Sequence, residues 1–281
     1  MTIDHLAPKG ARRIAPLAFG CLLLASAPSH AQNTAPANAP APAWTHAGNV
    51  SLVSDYLFRG VSQTQGKPTV QATIDFTHAS GAYLGIFGSG VSHAAYNNGN
   101  GAEIDLYGGY RHSLSADANV DVGVVTYWYP GARYNAAGRE VTYHTQDFKI
   151  GINKGSFNAY AWYTFSKHWF GFAVDPASGG FAKSRGTTYF EANWNPEISP
   201  GLVLNLHAGR QNVRNFSAFD FYDLKLGVTK TWDSWTISAA AIHNNGDAER
   251  NGLPYWTFFN ADGSSKKVVG TRLLLTAARN F

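Results

Sequence analysis

Twelve stretches of this 281-residue chain change character at every second residue, and the connections between them alternate between long and short. A two-residue period marks a strand with two unlike faces. A long–short rhythm marks antiparallel strands running up and down, with long loops at one end and tight turns at the other. The expected strands are 46–59, 68–78, 83–92, 102–114, 120–129, 143–153, 157–166, 187–195, 202–213, 221–231, 235–243 and 268–281. Between them lie six long connections and five short ones, which places both ends of an even-stranded sheet on the short-turn side. The fold class expected is all-β: a single up-and-down antiparallel transmembrane β-barrel of about 12 strands, following a cleaved signal peptide.

Periodicity alone does not say which face is wet, since a soluble barrel buries its apolar face inward and a membrane barrel turns it to lipid. Aromatic residues decide. Trp194, Trp232 and Trp235 sit beside short turns, and Trp128 and Tyr129 beside a long loop. Trp and Tyr at both strand ends match the two interfacial girdles of a membrane barrel. No stretch after the first 31 residues holds about 18 consecutive apolar residues, so crossing by a helix is not expected, whereas a spanning strand needs only about 9–11 residues.

The face opposite the apolar one carries charges of both signs. Its acidic members are Asp55, Asp75, Glu103, Asp105, Asp121, Asp147 and Glu191; its basic ones are Arg59, Arg111, Lys149, Lys225 and Arg272, with His207 beside them. These are the candidate pore-lining residues. Strand 157–166 is aromatic on both faces, through Tyr160, Trp162, Tyr163 and Phe165, so its outward side stays open.

The start of the chain reads as an address. Lys9, Arg12 and Arg13 precede an apolar run, 14–27, and Ser29-His30-Ala31 offers small residues at a signal-peptidase site. A signal peptide over 1–31 is expected, then an Ala/Pro-rich flexible leader over 32–45 and the barrel over 46–281. A lipoprotein site at Cys21 is disfavoured because Phe19 stands where a small residue belongs. Cleavage after Ala31 removes the single cysteine, excluding disulfides and thiolate metal sites. It also removes Asp4 with the three early cations, leaving a net charge of about +2, which gives no argument for nucleic acid.

The run Ser54-Asp55-Tyr56-Leu57-Phe58-Arg59-Gly60-Val61-Ser62-Gln63 resembles the opening hairpin of the TorF-like porin family of bacterial outer-membrane proteins, with its S-D-Y-x-F-R-G-x-S-Q pattern. The likeness continues through 68–75 and, loosely, to the last strand. It implies an outer-membrane barrel and a porin role, with no catalytic residues to carry over. In that first strand Asp55, Leu57 and Arg59 share one face, poised for pairing with charges on neighbouring strands. The last strand stops at Phe281, and a strand finishing in a terminal aromatic is similar to those that serve bacterial outer-membrane barrels as their assembly signal. Phe281 is expected to play that part toward the barrel-assembly machinery.

Catalytic signatures are missing: no G-x-S-x-G, H-E-x-x-H, phosphate loop or calcium loop occurs. His144 with Asp147, or His93 with Ser92, would have to be forced into a rim hydrolase, and His243, Asp247 and Glu249 into a cation site. No cofactor is expected. The function expected is a porin-like channel for passive diffusion of ions or small polar solutes through a narrow lumen of mixed charge. The alternatives are a non-conducting structural or adhesive barrel and, last, a rim hydrolase. Expected partners are outer-membrane lipid, the barrel-assembly machinery and small solutes or ions. Twelve strands fall between barrels of about 8, filled by side chains, and those of about 16–18, which hold an aqueous channel. The aromatic loop 167–186 is placed to narrow the opening further.

Overall fold

The structure, a computed structural model, describes residues 43–136 and 138–281. The expected signal peptide and the leader up to residue 42 lie outside the described residues. Twelve antiparallel strands form one closed sheet. They are β1 (Trp44–Val53), β2 (Thr69–His78), β3 (Ala82–Gly90), β4 (Ala102–Ser113), β5 (Ala118–Trp128) and β6 (Thr145–Lys154). The circuit continues with β7 (Phe157–Thr164), β8 (Thr188–Trp194), β9 (Leu202–Asn212), β10 (Phe221–Trp232), β11 (Trp235–Asn244) and β12 (Gly270–Asn280). Each pairs with its neighbours in sequence, and β12 returns to β1.

The five tight turns lie where the short connections were expected. One of them, at Gly81, needs glycine: its φ is +101° and a Cβ there would stand 2.2 Å from the Arg111 carbonyl oxygen. The remaining end carries six longer loops. Three of them contain small hairpins of their own: 54–68 holds Leu57–Phe58 with Val61–Ser62, 129–144 holds Arg133–Ala136 with Arg139–Thr142, and 245–269 holds both Glu249–Arg250 with Leu253–Pro254 and Thr257–Phe259 with Ser265–Lys267.

The outer wall is a belt of exposed aliphatic side chains. Leu273 is 78% exposed, Leu226 58%, and Leu106 and Val70 57% each. The charged residues on this wall, Lys154, Arg210, Lys230 and Arg279, all lie within two positions of a strand end. Trp44, Tyr110, Trp194, Trp232 and Trp235 ring the short-turn end, and Trp128, Tyr163, Phe165 and Tyr222 the loop end. A polar interior with an apolar, aromatic-girdled exterior is the inside-out arrangement of a transmembrane barrel. The open question at β7 is resolved by its partners: Tyr160 and Trp162 point inward, hydrogen-bonding Asn153 and Glu191, while Phe157 and Tyr163 face outward.

The ring closes through a short ladder, Asn49–Val53 against 276–280. Phe281 extends it. Its N–H donates to the Gly48 carbonyl and its own carbonyl accepts from the Gly48 N–H, both at 3.0 Å. Its ring covers Gly48 so closely that a Cβ there would lie 2.6 Å from Phe281 Cε2.

The first strand departs from the sequence expectation. β1 ends at Val53, not Arg59, so Asp55, Leu57 and Arg59 do not lie on a barrel strand. Residues 57–62 form a separate hairpin, Leu57–Phe58 against Val61–Ser62, folded into the barrel. Alternation continued through this segment because it is extended, but it belongs to a different pair of strands.

Two outcomes follow from the wall and the seam. Leu226→Arg should destabilise the barrel in vesicles by about 2–4 kcal/mol, as measured by urea unfolding, because it puts a charge in the middle of the belt. Removing Phe281 should sharply lower the yield of folded, heat-modifiable barrel on electrophoresis, since two closing hydrogen bonds and the cover over Gly48 disappear together.

Candidate functional site: a lumen crossed by an inward hairpin

The hairpin tip is a two-residue loop, Arg59-Gly60, with φ of +50° and +74°. Positive φ at both central positions is the mirror-image turn that suits twisted two-strand ribbons, and glycine takes it without strain. The tip lies against β10 and β11. A Cβ on Gly60 would stand 2.9 Å from Asn244 Cβ and 3.1 Å from Asp223 Cβ.

Asp55 organises the base of the hairpin. Its Oδ1 accepts from Ser62 Oγ at 2.6 Å and Thr64 Oγ1 at 2.8 Å, and its Oδ2 lies 3.7 Å from Arg272 on β12. Arg59 anchors the tip. It donates to Gln211 Oε1 at 2.7 Å, pairs with Asp147 at 3.5 Å, and lies 4.0 Å above the Tyr189 ring. Asn244 Nδ2 donates to the Arg59 carbonyl at 2.8 Å. The two charges of the motif do find opposite partners, but Arg59 finds its partner across the lumen on β6 rather than on an adjoining strand.

Aromatic residues pack around the loop end above the hairpin. Phe58 meets Phe170 edge-on at 5.3 Å and Tyr127 at 5.6 Å. Trp169 and Phe172, from the loop expected to narrow the opening, pack with Phe219 and Trp256. Phe181 of the same loop lies elsewhere, against Ala136, Val141 and Ala173. Burial pushes the Tyr143 hydroxyl up to about 12 and holds the His168 imidazole below its usual value, so both rim groups are uncharged at neutral pH.

Two cavities flank the hairpin, and Phe58 borders both. On the loop side is a vestibule of about 350 Å³ lined by aromatic residues including Tyr96, Tyr134, Trp169 and Trp256. On the strand side is a lumen cavity of about 140 Å³, roofed by Leu57, Phe58, Arg59 and Gly60.

The other predicted lining residues all point inward from the strands, and most are held in networks. Toward the short-turn end, Asp121 collects Lys149 at 2.8 Å, Tyr83 at 2.8 Å and Arg111 at 3.3 Å. Asp75 accepts from the Tyr107 hydroxyl at 2.6 Å. Asp147 accepts from Thr164 at 2.6 Å. His207 lies 2.7 Å from Asn193 Oδ1 and 2.8 Å from Asp223 Oδ2, while Glu191 accepts from Trp162 at 2.8 Å. Glu103 accepts from Tyr56 at 3.0 Å, and its carboxyl group shares a hydrogen bond with that of Asp105. Lys225 borders the cavity within electrostatic reach of Glu191 and Asp223.

Sequence reading missed Asp223, which ties Tyr189 to His207; its place on the polar face of β10, two residues before Lys225, was the available signal. It also missed the inward role of Tyr56 and Phe58, for which alternation gives no signal.

The pairs first named as rim-hydrolase candidates are not joined. His93 Nδ1 contacts the Gly99 carbonyl, and His144 accepts from the Tyr129 N–H. In the last loop Arg250 takes up Asp247 at 2.6 Å, and His243 contacts Thr271. No group of three or more His, Asp or Glu is arranged to hold a metal among the described residues.

Lys149 and Asp121 are each 1% exposed. Lys149→Met leaves the Asp121 carboxylate with only Arg111 for charge compensation, and breaking a buried pair in this way costs roughly 3–5 kcal/mol. Urea titration in vesicles should show this loss; the double change Asp121→Asn/Lys149→Met should recover much of it.

No curated protein sequence matches the chain. Among solved structures, the NanC porin superposes with a TM-score of 0.55 at 7% identity, covering 84% of this chain and 99% of that one. The KdgM porin covers the same shares at 7% identity with a TM-score of 0.47. An outer-membrane protein, OpdK from Pseudomonas aeruginosa, gives 0.38 at 10% identity, covering 86% of this chain and 68% of that one. A family model described as "bacterial protein of unknown function (Gcw_chp)" matches residues 37–267, most of the chain, and the chain belongs to that family.

Proposed function

We propose that this protein is an outer-membrane channel that admits small polar solutes or ions through a narrow lumen of mixed charge, with the 54–66 hairpin as its constriction. The observation that carries this reading is the pair of cavities on either side of Phe58 within a polar-lined barrel. The hairpin, with Phe58 bordering both cavities, stands between the aromatic vestibule and a charged chamber, and a pore narrowed by an inward segment needs that arrangement. The fold shared with the NanC porin and the TorF-like opening motif add to it. In this reading a signal peptide exports the chain, and Phe281 is the feature the barrel-assembly machinery recognises. The thirteen charged and histidine candidates line the passage or hold its constriction.

One observation favours a second reading, a barrel that does not conduct. Tyr56 and Ser62 are fully buried, and the hairpin is tied to several walls at once. Planar-bilayer recording separates the two. The channel reading expects small resolved openings from the wild-type protein and openings several-fold larger when residues 55–65 are replaced by a short Gly/Ser linker. Silent wild-type barrels with a conducting linker variant would favour the plugged barrel. Silence from both, with folding verified, would sink the channel.

A further inference from the structure

The lipid-facing wall is not evenly covered. Between Phe157 on β7 and Thr271 on β12 a furrow of about 460 Å³ runs across it. Ala192 and Ala208 are partners in register, as are Leu226 and Ala241, and the small alanine side chains leave room beside Trp194 and Leu226. The loop-side end of the furrow is polar. There His243 Nδ1 lies 2.9 Å from Thr271 Oγ1, and the Tyr222 ring stands 6.1 Å from that of His243. The next outward residue after Ala208 toward the loops is Arg210, paired in register with Phe190 on one side and Tyr222 on the other. Of the four charged residues on the outer wall, it is the one at the loop end. Its Nε donates to Asn212 Oδ1 at 3.3 Å. Its ion-pair partner Asp220 stands 3.8 Å away and already accepts from the Val213 N–H at 2.6 Å. Half of the Arg210 side chain remains exposed.

A furrow on this wall faces hydrocarbon, so an acyl chain or the wall of another barrel fills it. A cavity of about 150 Å³ holds a benzene ring, so about 460 Å³ takes roughly three times as many carbons, the size of one acyl chain. The head of the furrow lies level with the loop-side aromatic girdle, where headgroups begin. An arginine at that level attracts an anionic headgroup, and its fork of N–H donors matches a phosphate. A second copy of the chain offers no such anion, because the charged residues on its own wall, Lys154, Arg210, Lys230 and Arg279, are all cations. We propose that the furrow is a binding site for one lipid with an anionic phosphate headgroup, an acyl chain lying along the alanines and the phosphate on Arg210. The site needs only the lipid-facing wall, so it stands whether or not the barrel conducts.

Native mass spectrometry of the full barrel released from detergent counts bound lipid. The probes are lipid A with two phosphates, dioleoylglycerol, which has chains and no phosphate, and glycerol 3-phosphate, which has a phosphate and no chain. Lipid A should give a saturable single adduct at least tenfold tighter than either control. Arg210→Gln should weaken it about tenfold, while Arg210→Lys keeps most of it. Ala208→Phe, which fills the furrow, should weaken it at least fivefold, with Ala192→Phe used if that variant does not fold. Arg279→Gln, at the short-turn end, should leave it unchanged. Equal binding of dioleoylglycerol would reduce the furrow to ordinary lipid contact, and equal binding of glycerol 3-phosphate would leave a phosphate site without a chain. A dimer that the Phe variant abolishes would assign the furrow to a second copy. Any of these results, or Arg210→Gln or furrow-filled barrels that bind lipid A like wild type, would overturn the proposal.

Discussion

Every backbone N–H and C=O that crosses a bilayer must find its partner within the protein, because lipid supplies none. That requirement is most exposed at the seam where the last strand meets the first. β12 pairs with β11 over 270–279, yet with β1 only over 276–280. The ladder is short because the chain leaves the wall at Ser54 to enter the lumen. What replaces the missing rungs is the departing segment itself. The Ser54 N–H donates to the Leu275 carbonyl at 2.9 Å, Ser54 Oγ accepts from the Leu275 N–H at 2.9 Å, and the Ser62 N–H donates to the Val268 carbonyl at 2.8 Å. The hairpin is therefore part of the closure as well as an obstacle in the lumen.

Inside the ring, polarity is arranged in two tiers. Toward the short turns, charges and amides are matched to one another, with Asp121, Lys149 and Arg111 as the densest group and Asn193, Asn158, Asn205 and Thr229 filling the rest. Toward the loops, aromatic rings take over and pack around the hairpin. A buried ion gains only when its partners are close and its remaining valences are filled, and the lower tier meets that condition almost everywhere.

Much of this was legible in the sequence. All twelve strands, the long–short order of connections and the girdles came from period and from the positions of Trp and Tyr. Those signals are local, and the bilayer enforces them along every strand. The inward hairpin was not legible as such. Its Leu57-Phe58 and Val61-Ser62 steps continue the alternation of β1, and nothing local says that a strand leaves the wall. The direction of the segment is set by Asn244, Gln211 and Asp147, which are distant in sequence. The same holds for the face of β7: with aromatics on both sides, only the neighbours Asn153 and Glu191 select Tyr160 and Trp162 for the interior. The candidate residues were found as a set, while their grouping into networks depends on which strands the ring brings together.

The shared hydrogen bonds at Ser54 and Ser62 have a thermodynamic consequence. Two equilibria that draw on the same contacts are linked, and the linkage runs equally in both directions. Any ligand that favours a withdrawn hairpin takes those contacts from the β1–β12 edge, and any lateral pressure that loosens this edge favours withdrawal of the hairpin by the same free energy. Closing the ring and seating the hairpin are thereby one equilibrium rather than two.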